Sequence, residues 1–201
     1  MDRSPKMSLR IRLMFGPVAA LILATGIVTV PLLLPGYNQI RLTVGEIGEI
    51  GSPTRTPFAG MLCLVALSLV IFASGLRDLL KRSGHATFSA WLVGSEAISA
   101  AGVGILAFPN SLHNVFGTSE LIGYQAPLAL ALTLRSDMRM KRPARFSAIM
   151  TVLVWCTIAA SFVVFFRQST LWMEIHPFYG LVRRALFAAW FIWCAGVGLL
   201  A

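Results

Sequence analysis

Six apolar runs, each near twenty residues, punctuate the sequence at 13–34, 57–76, 88–108, 115–134, 147–166 and 180–201. A helix rising ~1.5 Å per residue crosses the ~30 Å hydrocarbon core of a bilayer in about twenty residues. Inside that core every backbone N–H and C=O must bond within the protein, so a spanning chain is either helical or a closed barrel. A barrel would alternate apolar and polar residues along ~10-residue strands; these runs are continuous. The expected fold is therefore all-α: a polytopic transmembrane bundle of six helices, a single transmembrane domain over 1–201.

Composition excludes the competing classes. Charged residues are 12% and hydrophobic residues 57%, against ~25% and ~45–50% in ordinary soluble domains. The mean hydropathy is +0.77. The net charge of +9 would point a soluble protein toward nucleic acid. Here the basic residues flank apolar runs, which makes anionic lipid headgroups the expected partners and gives no nucleic-acid reading. The first run is too long for a signal-peptide core and lacks a small-residue cleavage site, so it reads as a retained span.

The flanking charges also orient the chain. Arg3, Lys6, Arg10 and Arg12 precede the first run, Arg77, Lys81 and Arg82 follow the second, and Arg135, Arg139, Lys141, Arg142 and Arg145 separate the fourth from the fifth. That is twelve basic residues on one side. Arg41, Arg55, Arg167, Arg183 and Arg184 make five on the other. Cytoplasmic loops carry the Lys/Arg excess, so both termini are expected in the cytoplasm and the chain in the cytoplasmic membrane. The 35–56 connection then lies outside; its Gly45, Gly48, Gly51 and Pro53 oppose a regular helix. So does the 167–179 connection, whose Trp172, Phe178 and Tyr179 suit the interfacial aromatic belt.

Several short motifs recur in the right order for one known family. Glu46-Ile47-Gly48 is followed by Gly51-Ser52-Pro53 just before the second run. Phe108-Pro109 closes the third, with His113 shortly after. Gly180-Leu181-Val182-Arg183-Arg184 opens the sixth, with Trp193 further along. In these features and in span order the chain resembles the bacterial and archaeal membrane proteins grouped as domain of unknown function 998. The resemblance implies a six-helix integral membrane protein and adds Glu46 and His113 to the candidate residues. Where the family often has Ser before the Glu and a second His after the first, this chain has Gly45 and no second His. Both departures count against a metal site.

Ionisable groups in hydrocarbon cost about 2.5–3.5 kcal/mol on insertion scales and are functional candidates. Glu96 lies roughly 12 Å into the third run and Gln125 roughly 15 Å into the fourth, at ~1.5 Å per residue. Because those two runs are joined by a short turn, Glu96 and Gln125 are expected at matched depth, with Tyr124 beside them. Glu96 then serves either as a neutral carboxyl bonded across helices or as a proton or substrate site. A second group, Glu120, Arg183 and Arg184, is expected near the outer boundary, with Glu120 paired to one arginine. Its neighbours would be Glu46 and His113, with Glu174 and His176 in the nearby loop.

No HExxH zinc motif, GxSxG elbow or P-loop is present, so enzymatic function is the weaker reading. Cys63, Cys156 and Cys194 sit in apolar runs without CxxC spacing and read as packing residues; neither metal nor cofactor is implied. The leading expectation is a small-molecule or lipid binder, or an accessory subunit, with an outward-facing polar vestibule. The alternatives are a proton-coupled small-solute transporter using Glu96 and a metal-assisted lipid hydrolase using the outer Glu/His residues. Protein partners and homo-oligomerisation stay open.

Overall fold

The computed structural model describes residues 7–201; among them the chain forms helices and no strand. The basic residues Arg3 and Lys6 lie outside the described residues. Helices α1 (Leu9–Leu13) and α2 (Phe15–Thr29) run into a 3₁₀ turn at Val30–Leu33. Then come α3 (Arg55–Arg82), α4 (Phe88–Ile105), α5 (Ser111–Gly123), α6 (Ala126–Leu134), α7 (Lys141–Phe162), the short α8 (Thr170–Ile175) and α9 (Tyr179–Leu200). Five units are long and apolar enough to cross a membrane: Leu9–Leu33, Arg55–Arg82, Phe88–Ile105, Lys141–Phe166 and Thr170–Leu200.

The fourth apolar run departs from the single helix expected of it. It is two helices, α5 and α6, that break at Tyr124–Gln125. Proline explains the break. Pro127 has no N–H to donate to the carbonyl of Gly123 four residues back, and its ring opposes a continuous helix. The backbone tightens instead, with Gln125 N–H donating to Ile122 O at 3.1 Å. The freed Gly123 carbonyl accepts the indole N–H of Trp190 at 3.1 Å, and Ala126 O accepts the Ser89 hydroxyl at 3.0 Å. Side chains from α9 and α4 thus satisfy the backbone groups at the break, as apolar surroundings require. α5 also starts earlier than the hydropathy implied. Asn110 Oδ1 accepts from Leu112 N at 2.9 Å and caps the helix.

The helices pack in a closed ring: α3 on α4, α4 on α5 and α6, α6 on α7, α7 on α9, α9 on α2, and α2 on α3. Phe58, Phe72, Leu69, Trp190 and Trp193 fill the centre and are fully buried. Lipid-facing positions stay apolar, including Trp155 and Leu153 on α7 and Ile98 on α4, all exposed.

The two ends differ. At the end carrying the basic clusters, Arg12 pairs with Asp78 at 2.7 Å and His85 with Asp137 at 2.9 Å. At the other end the 34–54 segment folds over the bundle. Thr43 and Glu46 form a capping box around a 3₁₀ turn at Val44–Gly48, and Ile50 N–H donates to Phe108 O at 2.9 Å. Arg184 of α9 fastens the segment. Its Nη1 donates to Gln39 O at 2.6 Å, Leu42 O at 2.8 Å and Gly180 O at 3.0 Å. Its Nη2 donates to the Tyr37 hydroxyl at 2.8 Å. Burial pushes the Tyr37 hydroxyl above its ordinary range, with Arg184 acting in the opposite direction. Gly180 permits the docking: a Cβ there would strike the carbonyls of Leu42, Gln39 and Ile40.

Candidate functional site

Two cavities meet beneath the folded segment. The larger, about 660 Å³, opens at the loop end between the 43–46 turn, α5, the end of α7 and the start of α9. The smaller, about 80 Å³, lies among α2, α3, α4, α5 and α9. They share Val44, Gly45, His113, Gly117, Glu120, Arg183 and Phe187. The pair therefore reads as a vestibule narrowing through a waist into an inner chamber. Arg167 and Glu46 line the vestibule, and Glu96 lines the chamber.

Glu96 is only 2% exposed, and its Oε2 is buried without a hydrogen-bond partner among the described residues. Its placement follows from a glycine on α5. A Cβ at position 123 would collide with the Glu96 carboxylate, so Gly123 lets α5 close onto α4 at the carboxyl. Two turns away, Gly102 of α4 receives the Phe116 ring, and Ser99 and Ser119 hydroxyls meet at 2.7 Å. Small residues thus bring α4 and α5 together. The other chamber walls are apolar, including Leu62, Val65, Val103 and Phe191.

At the waist, Glu120 is 6% exposed and its Oε2 accepts the Tyr124 hydroxyl at 2.8 Å. His113 Nδ1 meets Leu106 O at 2.8 Å; a carbonyl only accepts, so Nδ1 carries the proton. Nε2 faces Gly45, 3.5 Å from where a Cβ on that glycine would stand. Arg183 is half-buried, lies over the Phe187 ring at 5.8 Å and has no hydrogen-bond partner among the described residues.

Three expectations need correction. Gln125 does not face Glu96: its Nε2 donates to Leu121 O at 3.0 Å on its own helix, and it lines neither cavity. The helix break rotates that position away, and Gly123 takes the place opposite the carboxyl. Glu120 makes no ion pair with either arginine; the ion pairs among the described residues are Arg12–Asp78 and His85–Asp137. Tyr124 supplies its hydrogen bond, Arg183 stays across the waist, and Arg184 turns to the loop backbone. The outer Glu/His residues do not all assemble: Glu46, His113 and Glu120 line the vestibule, whereas Glu174 and His176 do not. Glu46 is engaged by Thr43 N–H and hydroxyl, Glu174 is exposed, and exposed His176 packs on Trp172 at 4.9 Å. Among the described residues no three His, Cys, Asp or Glu side chains gather closely enough to hold a metal ion.

The structure thus brings together Glu46, Glu96, His113, Glu120 and Arg183, and places Gln125 and Arg184 elsewhere. It adds Gly117, Arg167 and Phe187, which the sequence reading passed over. Gly117 lies six residues before Gly123 on α5, about 120° around the helix from it, and the sequence carries no signal that separates the two. The Thr43-x-x-Glu46 spacing was a visible capping signal.

Fold and cavity define an apolar, all-helical membrane protein with a largely apolar recess among its helices that a few charged side chains line. The family comparison agrees: the chain belongs to DUF998, a family described as proteins of unknown function, whose model matches residues 17–200. No curated protein and no solved structure matches the chain.

Proposed function

We propose that this protein binds an amphiphilic small molecule or lipid in a vestibule facing the outside of the cytoplasmic membrane. In this reading the chain crosses six times. The α5–α6 pair together supplies the fourth crossing, and both termini lie in the cytoplasm, as the basic clusters favour. The observation that carries the proposal is the continuity of the recess. A polar mouth with Arg167, Arg183 and His113 leads past Phe187 into a chamber walled by Leu62, Val65 and Phe191. Mostly apolar pockets with a few placed polar groups are the usual form of a small-molecule site. Phe165 lines the vestibule and is 76% exposed, which supports a side opening toward lipid.

Gly117 provides the test. It lines both cavities, and a Cβ there would meet nothing within 4 Å. Gly117→Trp should block the waist with little disturbance of the fold. Native mass spectrometry of the protein purified in mild detergent should show retained lipid or a small amphiphile, and the variant should lose it. Equal retention by both proteins would count against the proposal.

A transporter reading draws on one feature, the helix break beside Glu96. Interrupted helices at mid-depth are common where carriers hold substrates and ions. Proton-dependent uptake lost in Glu96→Gln liposomes would favour it over simple binding.

A further inference from the structure

Around the inner chamber the charges do not balance. Glu96 and Glu120 bring two carboxyls, and Arg183 brings one guanidinium. Glu120 has the Tyr124 hydroxyl as donor, whereas the Glu96 side chain lines the chamber without one, its Oε2 buried against Gly123. An acceptor so placed in apolar surroundings costs free energy until a donor reaches it. Arg183 has the opposite lack: a half-buried cation with no acceptor, at the waist between the chamber and the mouth. A second cation, Arg167, lines the vestibule beyond it. From the inside outward the order is the Glu96 carboxyl without a donor, the Glu120 carboxyl and the Arg183 guanidinium at the waist, then the second cation, Arg167.

We propose that the chamber is the subsite for a primary ammonium, carried by a ligand whose acid group meets Arg183 at the waist. This rests on the reading of the recess as an amphiphile site and names its headgroup chemistry: a primary-amine zwitterion of the phosphoethanolamine type. The size agrees. A single water needs roughly 10–15 Å³ on this measure, so about 80 Å³ accommodates an aminoethyl group of three non-hydrogen atoms. An ammonium offers three N–H donors, enough for both Glu96 and Glu120. The phosphate or carboxylate of the same ligand then gives Arg183 its missing acceptor, in the charge-assisted geometry arginine favours. A quaternary choline head lacks N–H donors and is bulkier; a glycerol head lacks the positive charge. The hydrocarbon part runs back along Phe187 and Phe162 toward the open side at Phe165, all lining the vestibule.

The experiment compares lipids of one chain length differing only in headgroup. The protein is delipidated and offered equal amounts of phosphatidylethanolamine, phosphatidylcholine and phosphatidylglycerol in mixed micelles, and the retained lipid is measured by native mass spectrometry. Phosphatidylethanolamine should be retained about tenfold over each competitor, the size of one lost charge-assisted contact. Glu96→Gln keeps the side-chain shape and should abolish that preference while total lipid retention persists. Ala100→Leu narrows the chamber from a different wall residue and should do the same, which guards against a folding defect peculiar to position 96. Circular dichroism melting confirms that each variant is folded. Displacement of the lipid by millimolar O-phosphoethanolamine, and not by phosphocholine, would assign the site to the headgroup chemistry whatever carries it. Retention of phosphatidylethanolamine that free phosphoethanolamine fails to displace would assign it to the lipid. Lipid retained without headgroup preference, or a preference untouched by both variants, overturns the ammonium subsite alone. Absence of any retained amphiphile overturns the underlying binding proposal as well.

Discussion

Replacing Trp190 by Phe removes the indole N–H that satisfies Gly123 O at the helix break. Leaving a buried carbonyl unpaired costs about 1–3 kcal/mol. The smaller ring also loses packing against Tyr124, Phe191 and Trp193, so the single substitution by itself proves little. The informative background is Pro127→Ala. Alanine at 127 regains an N–H positioned to reach the Gly123 carbonyl, the i to i−4 partner that proline denied it. Packing losses at 190 are common to both backgrounds and cancel in a double-mutant cycle. Trp190→Phe should therefore be milder in the Pro127→Ala protein by about 1 kcal/mol or more, the net worth of one buried hydrogen bond. Reversible unfolding in mixed micelles of sodium dodecyl sulfate, followed by circular dichroism, supplies the four stabilities. If the two substitutions add to within about 0.5 kcal/mol, the indole is not compensating for proline and the account of the break is wrong.

Three further outcomes follow from the same geometry. In a cysteine-free background, a single cysteine at position 113 should react with an impermeant maleimide in intact cells while one at 139 stays unmodified; labelling at 139 would reverse the orientation. Arg184→Gln should raise hydrogen exchange selectively across 37–43, since it removes the donors to Gln39 O, Leu42 O and the Tyr37 hydroxyl; unchanged protection there would show that the capping box alone holds the segment. At the opposite end the hydrogen bond from His85 holds the Asp137 carboxyl below the usual aspartate range. A lowered folded-state value means a contribution present above the unfolded value, ~3.9, and lost as pH falls through the folded one. Acid melting of wild type and His85→Asn should thus diverge above about pH 4 and converge below it; curves separated by a constant amount would refute the link.

The parts legible in the sequence are those governed by bilayer thickness and by charge placement. Helices α3, α4, α7 and α9 begin within about two turns of the residues where hydropathy places them, because a hydrocarbon slab tolerates no other arrangement of an apolar run. Glu96 and Glu120 stood out as acids in apolar runs, and both line the cavity. The depth counted along the fourth run says nothing of the direction in which Gln125 points, and the break that Pro127 imposes two residues later leaves its amide on the Leu121 carbonyl of its own helix. The ion pair assigned to Glu120 failed because matched depth says nothing about facing direction, and the adjacent Tyr124 offers a donor one turn away. Gly117 was passed over because a glycine that creates space and a glycine that permits contact are the same letter. Only the packing around Gly123, where a Cβ would collide, and around Gly117, where it would meet nothing, separates the two.

The bond from Trp190 to Gly123 O joins residues 67 positions apart, and that separation has a consequence for biogenesis. The broken pair α5–α6 leaves the ribosome well before its partner exists. At ~5–20 residues per second, the carbonyl waits on the order of 3–13 s for α9 to be made. During that interval neither α5 nor α6 is long enough to cross the bilayer alone, and the kink between them has no indole to cover it. The two pieces would rest against α4 or be held by the insertion machinery until the last helix arrives. Truncation before α9 should accordingly leave the α5–α6 pair poorly inserted, and α9 acts as the closing element among the described helices.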